Sequence, residues 1–433
     1  MMQTLFHIPN QVAGVPLFGW GLLLALVAAG GLLLLAWLAW RQGLNADTLG
    51  YLPLLAALAA VIWFVLPRIC EPEGLPIRGY GTLLLAAILA AIGMTIWRGR
   101  RLGLDPDRLV MLCFWMILPG IVGARVFYVI EYWEDFQRAT VIATIGELLN
   151  FTEGGLVVYG SIIGGIAGLL VFLFRHKMPL LATLDLMTPS FMLGLALGRL
   201  GCFMNGCCFG GPCDLPWAVE FPAGSPVHVH QMRRGEVFIE GLKLDADPAA
   251  PPIVSAVAPG SPAERHGLDK QMRLAAVNGQ PVRTSAEALW VLAQAGREGG
   301  GVSVEVLGGP KVHWTAETEA RAAPVHPTQI YAAINALLIC LLLVAYAPFR
   351  RRDGEVFALF LTVYPLTRFI IEVIRNDEGA VLGTGLTISQ NVSLVLLAVA
   401  AILWILLARR PPGVAFPKWE PPPASPSRQE HRA

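Results

Sequence analysis

Charge is scarce in this chain. Lys, Arg, Asp and Glu make up 15% of its 433 residues, whereas soluble domains carry roughly a quarter. Hydrophobic residues reach 55%, and together these values exclude an ordinary soluble domain as the whole molecule. The formal net charge of +1 gives no footing for a nucleic-acid partner, which needs a strongly basic face. No H-E-x-x-H zinc signature occurs, and no histidine falls inside a long apolar run. A membrane metalloprotease of the site-2 type needs the first, and a rhomboid-type serine protease needs the second. The first apolar run also lacks a preceding basic stretch and is too long for the h-region of a cleaved signal peptide.

What the chain does have is runs long enough to cross a bilayer, which takes about 20 apolar residues. Val15 to Trp40, Tyr51 to Pro67, Gly79 to Trp97, Gly154 to Phe174, Pro327 to Phe349 and Ala380 to Ala408 carry no charge. Three more runs carry charge: Leu109 to Ile130 with Arg125, Met178 to Arg199 with Asp185, and Val356 to Ile374 with Arg368 and Glu372. The expectation is a mainly α, polytopic transmembrane bundle of nine spans. Basic residues follow every odd span: Arg41; Arg98, Arg100 and Arg101; Arg175 and Lys177; Arg350, Arg351 and Arg352; Arg409 and Arg410. Lys and Arg collect on the cytoplasmic side, so the N-terminus is expected outside, the C-terminus inside, and Gly201 to Val325 on the exterior face.

Two copies of one pattern open the chain. Pro16, Gly19, Gly21, Arg41, Gly43, Leu44 and Asp47 recur 60 positions later as Pro76, Gly79, Gly81, Arg101, Gly103, Leu104 and Asp107. This reads as a duplication whose first copy, with Phe18 and Trp20 in place of Arg78 and Tyr80, is scaffold. Within the exterior segment, Ile253 to Val257 and Val302 to Val306 alternate like short strands, with a helical spacing over Ser285 to Gln294 between them. Gly260-Ser261-Pro262-Ala263-Glu264, Gly267-Leu268 and Val277-Asn278-Gly279-Gln280-Pro281-Val282 resemble a PDZ domain of the bacterial periplasmic-protease type. That resemblance implies a small α+β module able to add an extended peptide at a sheet edge, or else a spacer without a ligand. The expected plan is an extra helix pair (1–74), a core in two parts (75–244 and 326–410), the PDZ-like insert (253–308) between linkers 245–252 and 309–325, and a disordered cytoplasmic tail (411–433).

Ionisable residues inside spans are costly and mark function by default. They concentrate around Arg125 to Tyr128, around Arg199 to Asn205, and from Tyr364 to Asp377. The topology puts all three segments toward the exterior ends of their spans, where three arginines suit an anionic lipid headgroup; snorkelling to the interface is the simpler alternative for any one of them. Arg368, Glu372 and Arg375 are spaced four and three apart, so they share a helix face. Glu372 can then pair with either arginine, leaving Arg368 to offer parallel donors to a phosphate.

Glu153-Gly154-Gly155-Leu156-Val157-Val158-Tyr159-Gly160-Ser161, Gly198-Arg199-Leu200-Gly201, Leu215-Pro216-Trp217-Ala218-Val219, His326-Pro327-Thr328-Gln329-Ile330-Tyr331 and the Tyr364 to Asp377 run together resemble the prolipoprotein diacylglyceryl transferase family, in the family's order. The resemblance implies an enzyme of the bacterial inner membrane that moves the diacylglyceryl group of phosphatidylglycerol onto the lipobox cysteine of a preprolipoprotein, releasing glycerol 1-phosphate. It needs no cofactor and no metal. Arg199 and Arg368 match the family's phosphate-facing arginines, and Tyr159 stands where some members carry histidine, so it is expected to orient the lipid. Tyr80 matches a tyrosine on the first core helix. Arg125, Asn205, His326, Gln329, Tyr331, Tyr364, Glu372 and Arg375 are the expected substrate-binding residues. Cys202, Cys207 and Ala332 depart from the Asn, Glu and Glu frequent in the family, which puts its proton-transfer scheme in doubt more than its phosphate binding.

Cys202, Cys207, Cys208 and Cys213 form a C-x4-C-C-x4-C cluster. Adjacent cysteines fit zinc-site spacing poorly, so disulfides or small packing residues are expected before a metal. The competing functional reading is a PDZ-bearing membrane scaffold or protease.

Overall fold

The computed structural model describes residues 4–416 apart from 13, 44, 137–147, 149–154, 156, 223–224, 235, 246, 248, 299, 317–321, 376–380 and 382. Glu153, Gly154, Asn376, Asp377 and most of the expected tail lie outside the described residues. The longer helices are α1 (Leu22–Gln42), α2 (Tyr51–Ile69), α3 (Gly79–Arg101), α4 (Pro106–Glu131), α5 (Val158–His176), α6 (Leu180–Asn205), α7 (Pro226–Arg233), α8 (Ser285–Glu298), α9 (Thr328–Tyr346), α10 (Glu355–Ile374) and α11 (Ile388–Ala408). Among the described residues, nine helices have the length and composition to cross a bilayer, α7 and α8 being the exceptions. The protein is a multi-pass membrane bundle with small sheets.

Several of the expected span limits move, and the two largest shifts, at the first and last helix starts, each have a local reason. The first helix starts at Leu22 rather than Val15 because the preceding residues pair as strands. β1 (Thr4–Ile8) runs antiparallel to β4 (Leu75–Arg78), and β2 (Gln11–Val12) to β3 (Val15–Pro16). The last helix starts at Ile388 rather than Ala380. Val381 bridges Leu386 in a turn, and Thr387 then accepts from the Gln390 amide while the Gln390 side chain accepts from the Thr387 amide. That capping box satisfies two otherwise orphaned donors.

The chain forms two compact units, one of residues 2–82 and 114–171, the other of residues 83–113 and 172–433. In the first, α4 and α5 meet backbone to backbone. A Cβ on Gly160 would fall 2.3 Å from the Gly123 carbonyl oxygen, one on Gly164 2.1 Å from that of Pro119, and one on Gly168 1.8 Å from that of Trp115. Small residues at four-residue spacing are how membrane helices reach such contact, since lipid supplies no hydrophobic drive between them.

In the second unit α6 is central: 56% of its most apolar window is buried, against 17% for α11. It packs along α9 and also meets α10, which packs on α11. Met192, Ala196, Ala336, Ile339, Cys340, Leu343 and Val356 form the seam. Asp185, expected to have a structural partner, accepts hydrogen bonds from the Gly354 amide at 2.7 Å and the Phe357 amide at 2.9 Å. It caps α10 from inside α6, which satisfies donors that a helix start leaves open.

The inserted body is wider than 253–308. β5 (Leu242–Leu244) pairs with β6 (Val254–Val257), and a four-stranded sheet runs β10 (Lys311–Thr315), β9 (Gly301–Val306), β7 (Leu274–Val277), β8 (Gln280–Pro281). α8 covers it, and one apolar core extends from Met232 to Trp314. The Trp314 indole donates to the buried Glu240 carboxylate at 3.1 Å. The segments expected as core tail and linker therefore contribute edge strands to this body.

Candidate active site

Glu372 is the hub of the polar residues at the C-terminal end of α10. Its Oε2 accepts from Arg368, one turn earlier, and lies 3.4 Å from Arg375 Nη1. Its Oε1 accepts from the Thr387 hydroxyl at 3.1 Å. The Glu372 side chain has no exposed surface, and those of Arg368 and Arg375 are 12% and 6% exposed. Arg368 Nη2 donates to Ser389 Oγ at 2.9 Å. The first turn of α11 and the last turn of α10 thus hold two guanidiniums with one carboxylate, the pairing expected from the spacing. Thr387 and Ser389 were not foreseen, because they come from another helix across a loop.

Loop 206–219 ties this group to two other elements. Gly206 ends α6 in the left-handed region at φ 74°, a conformation glycine adopts without a Cβ clash. The Gly211 amide donates to Ile374 O at 2.9 Å, the Gly210 amide to His326 O at 3.0 Å, and the His326 amide back to Gly211 O at 3.0 Å. A Cβ on Gly210 would lie 2.6 Å from that of His326, so this close crossing requires glycine. Thr328 donates to Cys208 O at 2.8 Å and Gln329 to Cys207 O at 2.7 Å. Gln329 is fully buried, and its Oε1 has no hydrogen-bond partner among the described residues.

Arg199 and Asn205 come from the last turns of α6. Arg199 and Arg375 both act electrostatically on the Cys208 sulfur, and Asn205 acts to lower the Cys207 thiol. The Cys208 thiol is held well below its usual range, first by hydrogen bonds with Cys202 and Cys207 and then by the two arginine charges. Two guanidiniums against the single Glu372 carboxylate leave this group an excess of positive charge. His326 Nδ1 lies 3.4 Å from the Tyr331 hydroxyl, which accepts from the Trp217 indole at 2.8 Å. Trp217, 56% exposed, belongs to the Leu215 to Val219 run and had no assigned contact. Tyr364 stacks on Phe360, ring centroids 5.5 Å apart.

The remaining expected site residues belong to the other compact unit. Arg125 is 7% exposed and donates to Leu148 O at 3.0 Å and Gly155 O at 3.2 Å, with Phe136 and Tyr128 rings 5.2 and 5.5 Å away. It braces the chain leading into α5. Tyr159 and Tyr80, in the first turns of α5 and α3, are 45% and 40% exposed.

A family model described as prolipoprotein diacylglyceryl transferase matches residues 67–252 and 281–406, breaking inside the inserted body. A Rhodopirellula baltica protein named phosphatidylglycerol--prolipoprotein diacylglyceryl transferase is 36% identical over 93% of this chain and 88% of its own length. Proteins of the same name from Synechococcus elongatus and Clostridium tetani are 35% and 34% identical over 36% and 38% of this chain. The chain spans 52% and 65% of those two relatives. A match of this extent, carried by the helices that build the arginine cluster, places the chain in the prolipoprotein diacylglyceryl transferase family.

Proposed function

We propose that the protein transfers the diacylglyceryl group of phosphatidylglycerol to the lipobox cysteine thiol of preprolipoproteins and releases glycerol 1-phosphate. The observation that carries this reading is the pair of nearly buried guanidiniums, Arg368 and Arg375, on the buried Glu372, with Arg199 joining Arg375 in acting on the neighbouring Cys208. The acceptor sulfur attacks the glyceryl carbon, the carbon–oxygen bond breaks, and the electron pair leaves on the phosphate. Charge builds on that phosphate in the transition state. Fixed donors aimed there stabilise it without reorganising, and a water-poor setting strengthens them.

In this mechanism Arg199 and Arg368 hold the departing phosphate, and Glu372 fixes the two guanidiniums of α10. Asn205, His326, Gln329, Tyr331 and Tyr364 shape the pocket around the glyceryl and acyl groups. Within the other compact unit, Tyr159 orients the lipid, and Tyr80 and Arg125 bind it. The chain sits in the inner membrane of a bacterium with its N-terminus outside and its C-terminus inside. The inserted body is a PDZ-like module on the exterior face, where it meets the acceptor protein or an extended peptide.

The test mixes purified protein with phosphatidylglycerol labelled in its acyl chains and a lipobox peptide. Label on the peptide, together with free glycerol 1-phosphate, is the expected result. Peptide cleavage without label would replace this reading with a protease, and inert peptide with a scaffold.

A further inference from the structure

The sulfurs of Cys202, Cys207 and Cys208 lie within 4.8 Å of one another, and all three are free and partly exposed. Zinc–sulfur bonds are about 2.3 Å, so three sulfurs on one zinc sit roughly 3.8–4.0 Å apart. A disulfide demands about 2.05 Å. Three sulfurs within 4.8 Å stand close to the spacing that one ion imposes.

The backbone holds the arrangement from the far side. The Cys207 and Cys208 carbonyls are gripped by the buried Gln329 and Thr328. Cys208 adopts φ 59°, a region a non-glycine residue enters only under constraint. The adjacent cysteines, a poor fit to ordinary zinc spacing, reach one point because the chain turns back at Gly206 and Cys208. Cys213 lies apart from the group, and among the described residues no histidine or carboxylate joins it. Three protein ligands with an open fourth position is the composition of a catalytic zinc site rather than a structural one.

We propose that Cys202, Cys207 and Cys208 hold a thiophilic divalent ion such as zinc, and that its fourth position takes the acceptor cysteine as a thiolate. This inference rests on the transfer reading above. Three thiolates on a divalent ion carry one net negative charge, which Arg199 and Arg375 beside Cys208 offset. Coordination releases the thiol proton to water. The sulfur pair then forms the bond to the glyceryl carbon while the phosphate departs with the carbon–oxygen pair. The resulting thioether is a weaker ligand and leaves. The ion supplies the deprotonation that a general base would otherwise perform.

The experiment uses the full chain purified under reducing conditions without added metal. Elemental analysis is expected to find about one zinc per chain, as for a three-thiolate site, falling at least tenfold in Cys207→Ser and Cys208→Ser. Cys213→Ser is the folding control and keeps its zinc. Cobalt exchange should give a thiolate charge-transfer band that shifts with a lipobox peptide and not with its Cys→Ser analogue. Metal-free protein in which the thiols of Cys202, Cys207 and Cys208 are all free to react, or a disulfide among them seen by mass, overturns the inference. So does a cobalt band that the cysteine peptide does not move. Normal transfer by metal-free protein sinks the ion and leaves the transfer reading standing; bound zinc with no transfer sinks that reading instead.

Discussion

The Thr387 hydroxyl donates to Glu372 Oε1 at 3.1 Å, joining the end of α10 to the cap of α11. Glu372 also receives Arg368 and Arg375. Glu372→Ala strands two nearly buried guanidiniums, a change that costs about 3–5 kcal/mol when a buried pair is broken. Transfer should fall at least a hundredfold. Glu372→Gln keeps the Thr387 bond and loses the charge, so it should lie between wild type and alanine. Initial rates at matched protein levels in isolated membranes check the order.

Arg199→Ala and Arg368→Ala should each abolish detectable transfer while the protein still inserts. Loss of one fixed donor to a developing oxyanion costs about 10²–10³ in rate. Arg368→Lys keeps the charge without the forked geometry and should recover only part of the activity. Full activity in either alanine variant removes the phosphate site from the mechanism.

Gly164→Val drives a branched side chain into the Pro119 carbonyl, where even a Cβ would sit 2.1 Å away. Overpacking of this kind costs about 1–3 kcal/mol. A lower unfolding midpoint in detergent is the expected reading. An unchanged midpoint would mean that α4 and α5 do not meet at this glycine.

Asp185→Ala leaves the Gly354 and Phe357 amides without their acceptor. Each orphaned buried donor costs about 1–3 kcal/mol. Folded yield should drop, yet kcat/KM per folded molecule should stay within about twofold, since the cap stands at the opposite end of α10 from Arg368 and Arg375. A collapse of kcat/KM at unchanged yield contradicts that separation.

Replacing residues 237–315 with a short Gly/Ser linker should preserve most transfer to a free lipobox peptide if the insert recruits or spaces. Removing only 253–308 is the poorer test. It leaves β5 and β10 without partners and exposes Leu242, Leu244 and Trp314, all buried in the intact body. Loss of peptide labelling after the clean replacement would make the insert part of the catalytic core.

The helices were legible because span length and terminal basic residues are local signals. The Glu372 pairs were legible because they follow from helix geometry alone. Thr387, Ser389 and the Trp217–Tyr331 contact were not, since each joins elements whose packing no local pattern encodes. Asp185 could be given a depth and a need for a partner, but amide groups carry no side-chain signature. Gly160, Gly164 and Gly168 did carry a signal, the four-residue spacing of small residues, which reading for charge alone passes over. The edges of the inserted body were blurred because strands of three to five residues declare themselves only through their partners.

Loop 206–219 is stitched to Val325, His326 and Ile374, residues the ribosome makes long after the loop itself. A nascent chain that has inserted α6 holds its cysteines and Arg199 with nothing yet to lean on. Competence arrives with the final helices, so the enzyme is born silent and a prematurely terminated product stays so.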